Sequence, residues 1–397
     1  MAHDADIIII GAGPAGLCFA KAMAKSGRSI IIVEKLGRAA LADPPYDGRE
    51  IALTHLSKQI MAENGIWPLI PPERTSCIQT AKVMNGRSPF ALSFDHPQVG
   101  GGPLGFMIAN NEIRKAAFAA IADAANIRLM DRCEVKNIGA DSGCGWVELA
   151  DGDRLSAGLI VAADSRFSAT RRMMGIPCAM LDFGRTCIVC TMGCEKPHLS
   201  AAYECFHADQ TLAVLPLGAH QVSVVVTVES ENAARILAMS AQDFATDMAQ
   251  RFGHRLGAMN LTSELFSYPL VATFAKRFHA HRFAVIGDAA VGMHPVTAHG
   301  FNLGLRGALC LAQELLSALA RGGDIGASAP LARYSAKHSR ICAPLYHGTN
   351  ALVRLYTGRT MAARLSRHAL LRVASHLAPA RRMITNQLTS TGPLPLT

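Results

Sequence analysis

The stretch that most restricts what this chain can fold into begins at residue 6. DIIII runs directly into GAGPAG, a helix-like segment follows over 15–26, and SIIIVE ends at Glu34. An unbroken β-branched run reads as a strand buried on both faces, as in a parallel sheet covered by helices. Gly11, Gly13 and Gly16 form GxGxxG between strand and helix. They permit a sharp turn and let a pyrophosphate approach backbone N–H groups at the positive end of the helix, with Pro14 and Ala15 inside the turn. Glu34, followed by Lys35, closes the second strand 18 residues past Gly16, where its carboxylate can accept hydrogen bonds from a ribose. A lone GxGxxG is a weak signal. The complete order of strand, turn, helix, strand and acid points to a bound dinucleotide.

At 397 residues the chain exceeds one ordinary small domain, so two domains or one elaborated domain are expected. Half the residues are hydrophobic and 17% are charged, which excludes disorder and supports a large core. No apolar run approaches the roughly 18 residues of a membrane span, and MAHDADIIII reads as a strand rather than a signal peptide. A cytoplasmic protein is expected. Eleven cysteines, an odd number, sit mostly in apolar segments, for example Cys18, Cys133 and Cys310, which suits a reducing compartment. CIVCTMGC (Cys187, Cys190, Cys194) lacks a companion CxxC pair, and its β-branched neighbours suggest a strand carrying buried thiols rather than a metal centre.

The net charge of +9 is uneven. Ten Lys and Arg and no Asp or Glu follow Asp324: Arg333, Lys337, Arg340, Arg354, Arg359, Arg364, Arg367, Arg372, Arg381 and Arg382. Such a tail suits an anionic surface. No nucleic-acid motif accompanies it, so nucleic acid is not expected and a peripheral contact with the inner membrane surface, or with a biosynthetic complex, is. A solvated helical face is an equal alternative, because the arginines do not segregate to one side at helical spacing.

Along the chain, GREIALTHLSKQIMAENGI (48–66) looks helical and WPLIPPERT reads as a crossing between domains. NNEIRKAAFAAIADAA is a second helix. RLMDRCEV, GWVELADG and RLSAGLIVAAD read as a β-meander. Residues 183–228 are mostly strand-like, two helices follow, and ELFSYPLVAT is another strand. RFAVIGD restores the buried-strand pattern, and Phe301, Leu305, Ala308, Leu309, Ala312, Leu315, Leu316 and Leu319 keep helical spacing.

GLIVAADSRFSATRR (158–172) resembles the Asp-Gly motif of single-component FAD-dependent aromatic hydroxylases, and RFAVIGDAAVGMHP (282–295) resembles their Gly-Asp motif. With the glycine loop, these motifs identify a para-hydroxybenzoate-hydroxylase-like fold over about residues 5–325. The resemblance is strongest to the hydroxylases of ubiquinone biosynthesis, through GREIALTHLSKQIMAENGIW, EKPHLSAAYECFHADQTLAVLPL and HPVTAHGFNLGL, the last most similar to the UbiM-type subgroup. It implies a mixed α/β chain: a Rossmann-like FAD-binding domain (1–73, 107–179, 280–325), an inserted antiparallel β-sheet substrate domain (74–106, 180–279) and a basic helical region (326–397).

The same resemblance implies that Gly11 to Gly16 hold the pyrophosphate, Glu34 the adenosine ribose, and Arg49 a place near the flavin. It implies a flavin-side polar contact from Asn110 and adenine contact by the Val135 backbone. Asp164 belongs to the Asp-Gly motif, with Ser168 and Arg171 supporting its turn, and Asp288 binds the ribityl hydroxyls. Pro295, Gly300, Phe301 and Asn302 line the isoalloxazine, where a helix beginning near Gly300 favours negative charge on the ring. Two positions depart from the pattern: Ser165 replaces the glycine of Asp-Gly, and Ala298-His299 replaces Gly-Gln.

The chemistry implied is reduction of FAD by NAD(P)H, capture of O₂ as a flavin C4a-hydroperoxide, and oxygen transfer to an electron-rich ring. The expected substrate is a hydrophobic prenylated phenol or quinol of ubiquinone biosynthesis, such as 5-demethoxyubiquinol. A soluble aromatic or polyketide substrate, and a non-catalytic FAD-containing scaffold, are the alternatives. His294 and His299 are five apart, off one helical face and without nearby Cys, Asp or Glu ligands, so no metal is expected. His299 remains a candidate acid–base residue for the phenol, and His294 a residue that shapes the loop.

Overall fold

A computed structural model describes residues 3–85, 91–95, 102–207, 210–295 and 299–357. The strand Ala5–Ile10 lies between Ile30–Val33 and Arg154–Ala162, parallel to both. Phe283–Val285 and Ile127–Met130 extend the parallel set at either side. Ile7, Ile8 and Ile9 have no exposed surface. Each contributes about 1.5–3 kcal/mol by leaving water, and the DIIII run is central because helices cover both faces. Helix Pro14–Ala24 packs on helix His299–Leu319.

The expected meander forms from Val135–Ala140, Gly145–Leu149 and Arg154–Ala162. Its first run differs: Ile127–Met130 pairs in parallel with Ile30–Val33 instead. The segment 48–66 is a second correction. Glu50–Leu53 is a strand, antiparallel to Gly105–Ala109, and only His55–Glu63 is helical. Thr54 divides the two, its side chain accepting from the Ser57 N–H as an N-cap.

The second large sheet is antiparallel except where Ala201–Phe206 runs parallel to Thr80–Asn85. Its long strand Cys178–Cys194 sends side chains alternately to two faces. Ile188, Cys190, Met192 and Cys194 join one apolar cluster, while Cys187 and Val189 join another. Cys187 therefore faces away from Cys190 and Cys194, all three buried and unbridged. Burial pushes the Cys187 and Cys190 thiols up to about 12, so both stay protonated.

Helix Ser328–Thr357 is not a detached tail. Leu331, Tyr334, Cys342 and Tyr346 are buried in the main core, and the Tyr334 hydroxyl donates to the Val285 carbonyl at 2.7 Å. Arg333 and Lys337 both pair with the buried Glu314 (2.7 and 2.5 Å), which removes two cations from the set expected to meet a membrane. Arg359, Arg364, Arg367, Arg372, Arg381 and Arg382 lie outside the described residues. Among the described residues no helix is long and apolar enough to cross a membrane.

Candidate active site

The three glycines of the first turn answer to different demands. Gly11 has φ +104°, and a Cβ there would stand 2.5 Å from the Ala163 carbonyl oxygen. At Gly16 a Cβ would collide with the Gly11 carbonyl oxygen. Gly13 has an ordinary φ of −76°, caps the helix without a side-chain hydrogen bond, and a Cβ there would meet nothing within 4 Å. The space before this helix end is open on the side where an anion would lie. Glu34 is buried, its carboxylate accepting from the N–H groups of Ala12 (2.7 Å) and Leu36 (2.9 Å). Those bonds aim it along the edge of the turn. Val135 lies beyond it, starting the strand after Cys133, whose N–H bonds the Glu34 carbonyl.

A cavity of about 510 Å³ opens beside this turn. Of the residues singled out from sequence, Gly13, Pro14, Ala15, Arg49, Asn110, Asp288, Pro295, Gly300 and Phe301 line it. Helix His299–Leu319 presents its first turns to the cavity, bringing a positive helix end there. Arg49 is fixed by Asp47 through Nη2 (2.6 Å) and Nε (3.1 Å), and stands 5.6 Å from the Tyr268 ring centroid. Asn110 Nδ2 donates to the same Asp47 carboxylate at 2.8 Å. Burial opposes ionisation of Asp47, but Arg49 and Asn110 outweigh it and hold the carboxyl below its usual range. Burial, with the charges of Asp47 and Glu112, raises Glu50 to about 7 despite a bond from Tyr46.

Other singled-out residues have different duties. Asn302 clamps helix to strand, accepting from Thr54 N–H (3.0 Å) and donating to the Ala52 carbonyl (2.8 Å). Asp164 organises its own turn, accepting from Ser168 Oγ (2.5 Å) and Thr170 N–H (3.1 Å). Arg171, almost wholly buried, donates to the Ala289 carbonyl at 2.7 Å and so ties the Asp-Gly turn to the Gly-Asp turn. Lys35 is exposed beside Glu34. His299 opens its helix and does not line the cavity. His294 does line it, packed edge-on to Phe183 at 4.8 Å; burial and the nearby Arg166 and Arg185 lower it to about 4, so it is neutral at pH 7. Among the described residues no group of His, Cys, Asp and Glu could hold a metal.

Sequence reasoning missed Arg166 and Glu204. Arg166 bonds Asp288 Oδ2 at 3.1 Å and the Val271 carbonyl at 2.9 Å, setting the orientation of Asp288. Its predecessor, Ser165, keeps the left-handed φ (+84°) that a glycine would supply. That conformation costs a serine about 1 kcal/mol. Ser165→Gly is expected to shift the urea midpoint upward by about 0.5–1 kcal/mol of stability, part of the gain being lost to glycine's greater freedom when unfolded. An unchanged or lower midpoint would show that Ser165 is not strained.

The residues fit a flavin dinucleotide: an open helix end for a diphosphate, a buried acid at the edge of the turn, and an aspartate beside a second helix end. The pattern of the FAD binding domain family matches residues 4–346. Ubiquinone hydroxylase UbiM of Neisseria meningitidis is 44% identical over 393 residues, covering 98% of this chain and 85% of the relative. The chain belongs to the FAD-binding family of the ubiquinone hydroxylases. UbiL of Rhodospirillum rubrum, also a ubiquinone hydroxylase, is 32% identical over 98% of this chain and 91% of its own length. The fold is shared with PqsL of Pseudomonas aeruginosa, described as a probable FAD-dependent monooxygenase (TM-score 0.78, 20% identity, 93% and 99% coverage). This ubiquinone hydroxylase family member is thus an FAD-dependent monooxygenase, with the mixed α/β fold expected of it.

When bound, FAD supplies the redox and oxygen chemistry. The protein's own part is to present a positive helix end to the cavity, to hold Arg49 and Asp288 by ion pairs with Asp47 and Arg166, and to keep a neutral His294 in its lining. The antiparallel sheet adds Ala213, Leu215 and Val225, with Glu204, Thr211 and Thr227, to the lining.

Proposed function

We propose that this protein hydroxylates the aromatic ring of a prenylated phenol or quinol on the way to ubiquinone, a demethoxyubiquinol being the type of substrate, with NAD(P)H as reductant and O₂ as the oxygen source. The observation that carries the reading is the cavity itself. One end is formed by Gly13–Ala15, Arg49, Asp288, Pro295 and Gly300, and the other by Ala213, Leu215, Val225 and neighbours from the antiparallel sheet. A ring held between those ends meets the cofactor on one side and, on the other, the apolar side chains together with Glu204, Thr211 and Thr227. In this reading residues 1–73, 107–179 and 280–325 hold FAD, and the inserted sheet holds substrate. Glu34 takes the ribose, Asp288 the ribityl chain and Val135 the adenine. Membrane contact is assigned to the cations beyond residue 357.

A deletion strain lacking its ring hydroxylases should regain ubiquinone when given this gene, and the intermediate that disappears names the ring position. Rescue failure by a well-expressed, FAD-loaded protein would refute the reading. Removal of residues 358–397 should abolish sedimentation with anionic vesicles and leave FAD content intact. The cut belongs there and not at 326, because Leu331, Tyr334 and Tyr346 are part of the core.

A further inference from the structure

We propose that Glu204 touches the substrate's ring hydroxyl and takes its proton, a role that rests on the hydroxylase reading above. Glu204 lies on Ala201–Phe206, and its cross-strand partner Ala213 is in turn the partner of Val225. All three line the cavity, with Thr211 and Thr227 forming the next row. The neighbours of Glu204 along its own strand, Tyr203 and Cys205, pack into the opposite face of the sheet. Glu204 is therefore an acid on the sheet face of the cavity, flanked by Ala213 and Val225 and by the row of Thr211 and Thr227.

Among the described residues three carboxylic acids line this cavity. Glu50 accepts from Tyr46 (3.2 Å) and Asp288 from Arg166 (3.1 Å). Glu204 has neither a hydrogen-bond nor an ion-pair partner among the described residues. Its side chain is partly buried and faces the cavity, and a polar group facing a cavity with no protein partner marks a place where something else supplies the bond. Burial, the single cause acting on it, pushes this carboxyl up to about 8, close enough to neutrality for it to exchange a proton with a phenol. The charged and titratable groups facing the same cavity are Arg49, Glu50, Arg114, Arg166, Asp288 and His294.

The step is balanced within the pair. The phenol O–H bond breaks, the proton joins a Glu204 carboxylate oxygen, and the electron pair stays on the ring oxygen. No electron leaves, and the ring carbons ortho and para to that oxygen become richer, which is what an electrophilic oxygen needs.

FAD-loaded wild type, Glu204→Gln and Glu204→Asp are compared with 2-prenylphenol and its methyl ether. Binding is read from the change in flavin absorbance, and turnover from hydroxylated product formed with NAD(P)H between pH 6 and 9.5. Wild type should bind the phenol about tenfold more tightly than the ether, and its rate should climb with pH to a plateau above about 8. Glu204→Gln, equal in shape and FAD content, should lose the climb with pH, since its amide oxygen can accept the phenol O–H but cannot take the proton, while Glu204→Asp keeps the climb in weakened form. Retention of the pH limb in Glu204→Gln overturns the proposal, as does a wild type with no preference. A wild type that binds and prefers the phenol but forms no product leaves Glu204's contact standing and refutes the hydroxylase reading. One that binds neither compound refutes both.

Discussion

Gly13→Ala and Gly16→Ala, in the same turn, are expected to fail in opposite ways. The Gly16→Ala protein should be recovered poorly, its apo form destabilised by about 3 kcal/mol or more, because the new methyl collides with the Gly11 carbonyl oxygen. Backbone on both sides is pinned by the parallel strands, so nothing can yield cheaply. The Gly13→Ala protein should fold, with apo stability within about 1 kcal/mol of wild type, since φ is ordinary and the methyl meets no protein atom. Its FAD affinity should fall by about a hundredfold, roughly 2.7 kcal/mol, because the methyl enters the space assigned to the diphosphate. Thermal melts of the apo proteins and flavin-fluorescence titrations separate the two. Normal FAD binding by Gly13→Ala would place the diphosphate elsewhere.

The second large effect is on stability and carries a pH signature. Unfolded, Glu204 ionises near 4.5; folded, it holds its proton to about 8. A raised carboxyl pKa means that the unfolded state gives up its proton first, so stability is lost as pH rises from 4.5 towards 8. Glu204→Gln removes that loss. The variant should match wild type at pH 4.5 and exceed it at pH 8, visible as a melting-temperature advantage that grows with pH. Glu50, raised to about 7, contributes the same trend and remains in both proteins. An advantage that is constant across pH would mean that Glu204 is not held protonated by the fold. A site residue that weakens its own protein is the usual mark of a group kept for chemistry.

The cofactor half was legible in the sequence because its signals are local. The glycine turn, the acid at Glu34 and the buried strands fall within one βαβ unit, where chain spacing and contact coincide. Ser165 shows how a departure from a motif can mislead: the residue differs and the φ does not. Glu50–Leu53 reads as helix from sequence because its apolar spacing is compatible with both periods, and the deciding contact, with Gly105–Ala109, is more than 50 residues away. Asn302 carried a flavin role on motif grounds, yet its partners Thr54 and Ala52 lie about 250 residues upstream. Glu204 was invisible for a related reason. YECF alternates like any strand, and nothing local says which side faces a cavity.

The helix Ser328–Thr357 has a consequence for how the protein is made. Ala5–Ile10 emerges first, yet it completes its sheet only against Arg154–Ala162 and, beyond that, Phe283–Val285. Tyr334 then seals Val285, and Leu352 and Leu355 cover the cluster around Phe94. The first strand must therefore wait until residue 162 for its second neighbour, and its sheet until residue 285 for the next parallel strand. Such long-range pairing folds slowly and leaves sticky surface open during synthesis. A ribosome that stops short of residue 346 releases a chain with an unfinished core, so for this protein the danger of truncation lies in aggregation before any question of lost activity arises.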